Sequence, residues 1–271
     1  MKSWTLADIP WDRFDPAKVD PEMIRVVKAA AMVEFNGGDY ATYLCKVFHD
    51  DPEFQAAARY WADEEVQHGE ALAQWARMAD PSFDFKTRFK RFTDGFKLPL
   101  DAAASVRGSR TGELIARCIV ETGTSSYYSA LGEASQEPVL KAICRNIAAD
   151  EFRHYKLFYT HMKRYEAVER LGVFTRARVI LGRLIETRGD DELPFAYFCA
   201  NMPPSAHYDR RSSGRAYARK TSRYYRPHHI ERAIGMVLKA LGLKPNGRLG
   251  QMLSALAQRW FAFEAARAAR A

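Results

Sequence analysis

Two Glu-x-x-His pairs, Glu65–His68 and Glu151–His154, constrain this chain more than any other feature. Residues three apart share a helix face, so each pair offers one carboxylate and one imidazole to the same point. The first pair sits in Asp63-Glu64-Glu65-Val66-Gln67-His68, the second in Ala149-Asp150-Glu151-Phe152-Arg153-His154. A dinuclear metal site in a helical bundle takes two such pairs plus one Glu from each of two further helices. Glu34 and Glu121 are the candidates, because they precede Glu65 and Glu151 by 31 and 30 residues and make the second half a repeat of the first. A helix carrying Glu34 that turns near Asp50-Asp51-Pro52 and returns through Glu65 runs about 16 residues out and 14 back at ~1.5 Å each, which leaves the carboxylates level. A break near Ser135-Gln136-Glu137-Pro138 does the same for Glu121 and Glu151. Four inward, unpaired Glu would destabilise an apolar core, whereas against two divalent cations their charge sums to about zero.

The rest of the chain supports a helical, metal-binding reading. No run approaches the ~18 apolar residues that span a bilayer, and Met1-Lys2-Ser3-Trp4-Thr5 lacks the apolar core of a signal peptide. The expectation is a cytoplasmic protein, with peripheral membrane attachment open. Cys45, Cys118, Cys144 and Cys199 form no Cys-x-x-Cys, which argues against a disulfide framework, a thiolate metal site or a built-in rubredoxin-like module. Electrons for redox chemistry would then come from outside the chain. The net charge of +8 is uneven: from Ser205 onward there are 14 Lys/Arg against 3 Asp/Glu, while residues 1–204 carry a net −3.

An all-α fold is expected. Residues 1–20 form an arm over the bundle and residues 21–171 the bundle itself, with helices over about 21–49, 52–79, 109–134 and 136–171. Residues 172–204 are a helical extension and 205–271 a basic helical tail whose first part, 205–227, reads as flexible. Trp61 lies one turn before Glu65 and is expected to pack on the site. Gly37 and Gly38 weaken a helix beside Glu34, for close helix packing or for room beside the metals. The long connection after Pro81 carries Phe83, Phe85, Phe89, Phe92 and Phe96, is broken by Gly95 and Pro99, and reads as core packing or as a hydrophobic substrate entrance. A long crossover of this kind distinguishes ferritin-like bundles. Thr122-Gly123-Thr124-Ser125-Ser126 is a poor helix-forming run. Thr124, three residues after Glu121, directs its hydroxyl toward the metals or back to a helix carbonyl. Asp150 and Glu64 each precede a His by four residues and are candidates to orient an imidazole N–H, with solvent exposure the alternative for Glu64. The other five His have no partner ligand at helical spacing.

Over about residues 30–165 the chain resembles the acyl-carrier-protein desaturases of the ferritin-like superfamily. Trp61-Ala62-Asp63-Glu64-Glu65-Val66-Gln67-His68-Gly69-Glu70 is similar to their W-x-x-E-E-x-x-H-G-D motif. Ile147-Ala148-Ala149-Asp150-Glu151-Phe152-Arg153-His154 is similar to I-A-A-D-E-x-R-H, and Glu121-x-x-Thr124 to E-x-x-T. The resemblance implies a ferritin-like four-helix bundle, to which the residues beyond it add C-terminal helices, and two iron ions, or manganese, held by Glu34, Glu65, His68, Glu121, Glu151 and His154. It leaves open which Glu are terminal and which bridge. It places Thr124 near bound oxygen and Asp150 behind a ligand. The implied activity is an O2-dependent desaturase, hydroxylase or monooxygenase acting on a lipid-like or acyl substrate. The implied electron donor is a ferredoxin-like or flavin reductase partner, and a homodimer is compatible; the basic tail by its charge reads as a bundle-covering extension with a solvated face, a contact for acyl carrier protein or an anionic membrane surface, or an RNA-binding patch. The N-terminal arm and the basic C-terminal third have no counterpart in that family. Competing readings are ferritin- or rubrerythrin-like iron oxidation or peroxide scavenging, and a tRNA-modifying di-iron hydroxylase. The latter is disfavoured because the tail holds no recognised nucleic-acid motif.

Overall fold

The computed structural model describes residues 4–98, 100, 104–189, 191–245 and 247–270. Among them the chain is all-helical, with eleven α-helices and no strand. Four helices carry the motif residues: α1 (Pro21–Phe35), α3 (Pro52–Ala79), α5 (Arg110–Ala134) and α6 (Pro138–Glu169). Each starts at a residue that satisfies the open N–H groups of a first turn. Asp20, Asp51 and Ser109 cap α1, α3 and α5, and a proline follows both aspartates. Glu137 caps α6, accepting from the Val139 and Leu140 amides while also taking the Trp75 indole N–H at 2.7 Å. α1 packs on α3, α5 on α6, and α3 on α6.

Two apolar clusters bracket the motif residues. One gathers Met23, Val27, Leu72, Trp75, Leu131 and Ile143 with α8 (Glu192–Asn201). The other gathers Leu44, Phe54, Leu114, Ile115, Phe158 and Met162. Along α3, α5 and α6 the acidic and imidazole side chains fall between these clusters. The polar layer is thus sealed at both ends by close-packed hydrocarbon, the arrangement that holds buried charge away from water.

The expected single helix over 21–49 is broken. α1 stops at Phe35, Asn36 leaves the helical region with ψ near 6°, and α2 (Gly37–Val47) restarts at once. The break falls directly before Gly37-Gly38, and Gly69 of α3 lies against the end of α1. A Cβ there would lie 2.6 Å from the Phe35 amide nitrogen, so α3 passes against α1 where only a glycine fits. Gly37 does the same for a ligand, since a Cβ on it would sit 2.6 Å from Glu65 Cβ. Close packing, not open space, accounts for Gly37.

The aromatic connection forms α4 (Phe85–Gly95). Its Phe residues belong to the first apolar cluster, and none lines the cavity beside the acidic layer, so they serve as core rather than as an entrance. Pro99, read as a break in this connection, lies outside the described residues, as do Met1–Ser3 of the arm. The arm is three short turns of 3-10 helix joined by extended links, with Trp4, Trp11 and Phe14 against the core.

Residues 205–227, which read from the sequence as flexible, contain regular helix. They hold α9 (Arg210–Thr221) and a 3-10 turn at Ser222–Tyr224, anchored because Tyr208, Tyr217, Tyr224 and Tyr225 find apolar partners. After α7 (Val173–Gly189) and α8, the chain ends in α10 (Pro227–Leu241), which packs on α5, and α11 (Arg248–Arg270). No helix among the described residues is long and apolar enough to cross a membrane.

Candidate metal centre

All six residues singled out as ligands meet in one buried layer. Glu34, Glu65, His68, Glu121, Glu151 and His154 are each at most 7% exposed, and the two imidazole rings lie 5.7 Å apart. Their ligating atoms fall into two four-residue groups, each compact enough for one ion: Glu34, Glu65, His68 and Glu151, and Glu65, Glu121, Glu151 and His154. Glu65 and Glu151 belong to both. The carboxylates common to both groups are those of the two Glu-x-x-His pairs. Glu34 and Glu121 each serve a single group.

The polar atoms at the centre are those a metal would satisfy. Nδ1 of His68, Nδ1 of His154, both oxygens of Glu121 and Oε1 of Glu151 are buried without a hydrogen-bond partner. Buried polar groups are ordinarily paired, so five orphans converging on one point need an explanation. His154 Nδ1 approaches Glu65 Oε1 at 3.1 Å and His68 Nδ1 approaches Glu151 Oε1 at 3.3 Å, spacings that a cation between them would convert into coordination. Four carboxylates and two imidazoles suit iron or manganese, and the residues fit a dinuclear site.

Behind the ligands the imidazoles are oriented from the opposite helix. His68 Nε2 is 3.0 Å from Asp150 Oδ2, and His154 Nε2 is 2.9 Å from Glu64 Oε2. The four-residue spacing suggests the reverse, Asp150 with His154 and Glu64 with His68. It fails because each ring turns Nδ1 to the centre, which sends Nε2 across the α3/α6 interface. Glu64 is buried, not solvent-facing. Arg153 ties the two outer carboxylates together, donating to Glu64 Oε1 at 2.9 Å and to Asp150 Oδ1. An Nε2–H held by a carboxylate fixes the tautomer that leaves Nδ1 free for a metal.

Thr124 donates its hydroxyl to Glu151 Oε2, with the Val120 and Glu121 carbonyls at 3.3 and 3.4 Å as weaker contacts. Both orientations read from the sequence are therefore represented, and the carboxylate is the closer. The neighbouring Thr122 and Ser125 bond back to helix carbonyls at 2.7 and 2.6 Å, which is how the run stays helical. Trp61 packs edge-on to His154, with ring centroids 6.4 Å apart.

Besides Arg153, four residues escaped the sequence reading. Trp4 donates its indole N–H to Asp150 Oδ2 at 2.7 Å and stacks parallel to His68 at 6.0 Å; an aromatic in an irregular arm carries no spacing signal. Tyr128 donates to Glu34 Oε1 at 2.5 Å. It lies seven residues after Glu121, on the same face, so helical periodicity could have found it. Tyr217 and Tyr225 of the tail line a cavity of about 310 Å³ that reaches Glu34, Thr124, Gly123 and Tyr128. That cavity is mainly apolar, with Val33, Ile119, Val120 and Leu184 among its walls.

The electrostatics show what the layer does without metal. Burial, then the charges of Glu151 and Glu34, push the Glu65 carboxyl well above the usual range, and burial with Glu151 pushes Glu121 up to about 8. Burial would lower both imidazoles, but surrounding carboxylates outweigh it and raise His68 and His154. Burial would likewise raise Glu151, yet its contacts with His68 and His154 hold it down to about 2. Protons therefore occupy positions that cations would take.

A third acidic and imidazole group, Glu133, His228 and His229, has a different character. His229 Nδ1 accepts the Arg226 amide N–H at 3.0 Å, so its Nε2 carries the proton that faces Glu133 at 2.9 Å. It presents a donor there rather than a lone pair, and the group caps the start of α10. A scan against protein-family models and a search of curated proteins find no match to this chain.

Proposed function

We propose that the chain is a non-haem di-iron oxidoreductase built on a ferritin-like arrangement of α1, α3, α5 and α6, which uses O2 to hydroxylate or desaturate an apolar substrate. The observation that carries this reading is the pair of four-residue groups sharing Glu65 and Glu151, with both His Nδ1 atoms aimed between them. When bound, two ferrous ions supply the electron transfer to O2 that no side chain can provide.

The chain's own residues do the rest. The cavity walls bind and orient the substrate against Glu34 and Thr124 and keep water out. A volume of about 310 Å³ lies at the small end of the roughly 300–1,000 Å³ of ligand pockets. That suits a compact apolar molecule or one stretch of a longer acyl chain. Thr124, bridging Glu151 and the cavity, holds a proton at Oγ1 within reach of both. Hydroxylation consumes one O2, two electrons and two protons and releases one water. Desaturation uses the same co-reactants, removes two substrate hydrogens and releases two waters. The chain has no Cys-x-x-Cys module, so a ferredoxin-like or flavin reductase donor supplies the electrons.

The test supplies iron-loaded protein with a chemical reductant, isotopically labelled dioxygen and a panel of fatty acyl and small aromatic compounds, read by mass spectrometry. The expected result is label in a product, or loss of two hydrogens, with uptake of O2 that rises with substrate. Uptake of O2 that only oxidises added ferrous ion, without product, would favour the iron-oxidation reading and overturn this one.

A further inference from the structure

The cavity beside the metal cluster meets the surface between two helices that expose apolar stripes. On α7, Leu184 lines the cavity and is itself 44% exposed, so the cavity opens there. Phe174, Leu181 and Ile185 continue outward on the same helix, 58–89% exposed. On the other side Tyr225 lines the cavity and packs on Phe261 of α11, ring centroids 5.2 Å apart. That helix exposes Leu249, Met252, Leu256 and Phe263 at 43–64%. These positions recur at steps of three, four and seven residues and so form one stripe. α10 packs against both α7 and α11, and the cavity links the two, Leu184 of α7 and the α11-packed Tyr225 both lining it.

The charge around these stripes is predominantly basic. Arg178, Arg248 and Arg259 are exposed, α11 carries four Arg against one Glu, and the acidic residue of α7, Glu186, is paired with Arg107. A helix with large apolar residues on one side and Arg beside them has the composition that lies in the headgroup layer of anionic membranes. A second copy of the chain fits poorly. A two-fold contact is self-complementary, so it would set this basic surface against itself.

We propose that the α7/α11 face is a peripheral docking surface for an anionic lipid bilayer, and that it turns the cavity mouth toward the acyl layer. Docking itself stands on the surface alone; the corollary that substrate reaches the metals from the lipid rests on the function proposed above.

The test is flotation of the full-length chain with vesicles of phosphatidylcholine alone, or of phosphatidylcholine with a minority of phosphatidylglycerol, at low and high salt. The expected result is flotation that needs the anionic lipid and weakens with salt. Phe174→Glu combined with Leu256→Glu, and separately Arg178→Glu with Arg259→Glu, should each lower the bound fraction about tenfold or more. Circular dichroism and iron content should stay at wild-type values, which excludes unfolding. Metal-free protein should float equally well, so failure of the redox reading cannot imitate failure of docking. Wild-type protein that floats with neither vesicle, or variants that float like wild type, would overturn the proposal. So would a wild-type dimer that Leu256→Glu dissociates, or an acidic carrier protein that binds this face while vesicles do not compete.

Discussion

At the scale of single residues, the shared and unshared ligands make different predictions. Glu65→Ala or Glu151→Ala removes a carboxylate from both four-residue groups and should leave the folded protein with little or no iron. Glu34→Ala or Glu121→Ala touches one group and should leave about one ion per chain. Elemental analysis of folded, gel-filtered protein separates the cases, and the opposite ranking would show that the shared residues are misassigned. Behind the ligands, Asp150→Asn keeps the His68 Nδ1 position but weakens the hold on Nε2. A competitive chelator titration should show metal affinity lower by about 10–100-fold. Glu64→Gln should do the same through His154. The convergence of these six residues was legible because two helical pairs with partners 31 and 30 residues upstream leave few alternatives. The crossed pairing of Asp150 with His68 was not, since a four-residue spacing within one helix looks equally good until the ring orientation is known.

At the scale of helices, two glycines measure how tightly the layers meet. Gly69→Ala drives a methyl group against the Phe35 backbone, which cannot yield as a side-chain tip would. Overpacking of this kind costs about 1–3 kcal/mol, readable as a lower midpoint in chemical denaturation. Gly37→Ala presses on the Glu65 stem instead, so its signature should be loss of iron out of proportion to loss of stability. The boundaries of α3, α5 and α6 could be read from caps and prolines, since Asp51-Pro52, Ser109 and Glu137-Pro138 satisfy first-turn amides wherever they stand. The break at Asn36 falls where Gly37-Gly38 weaken the helix, a weak spot the sequence marks but through which a single helix was read. The helix within the segment 205–227 was missed for a different reason. Few of its residues are aliphatic, yet its tyrosines bury their rings against the core and the cavity, and composition does not say which polar-tipped aromatics will find a partner.

At the scale of the molecule, the metal-free and metal-loaded chains should respond to pH in opposite ways. Glu121 is raised from 4.5 to about 8, and His68 and His154 are raised above 6.5. The folded metal-free chain thus keeps protons that the unfolded chain has shed. The stabilisation from these groups is complete below their unfolded pKa values and is lost as pH climbs through the folded ones. The metal-free melting temperature should fall by several degrees between about pH 6 and pH 9. Glu64 and Glu151, both held down to about 2, act in the other window and lose their contribution only as pH falls toward that value. Cations replace the retained protons, so the loaded chain should lack the alkaline loss, and loading should release protons. Differential scanning calorimetry of both forms checks this, and a metal-free chain that becomes more stable toward pH 9 would contradict it.

The most direct test is X-ray absorption at the iron edge on full-length protein loaded anaerobically with ferrous ion and freed of excess. The expected result is two irons per chain, nitrogen and oxygen neighbours only, and a metal–metal vector of about 3.5–4 Å. A folded chain that retains one iron or none, or two irons without that short vector, would contradict a shared centre at Glu65 and Glu151.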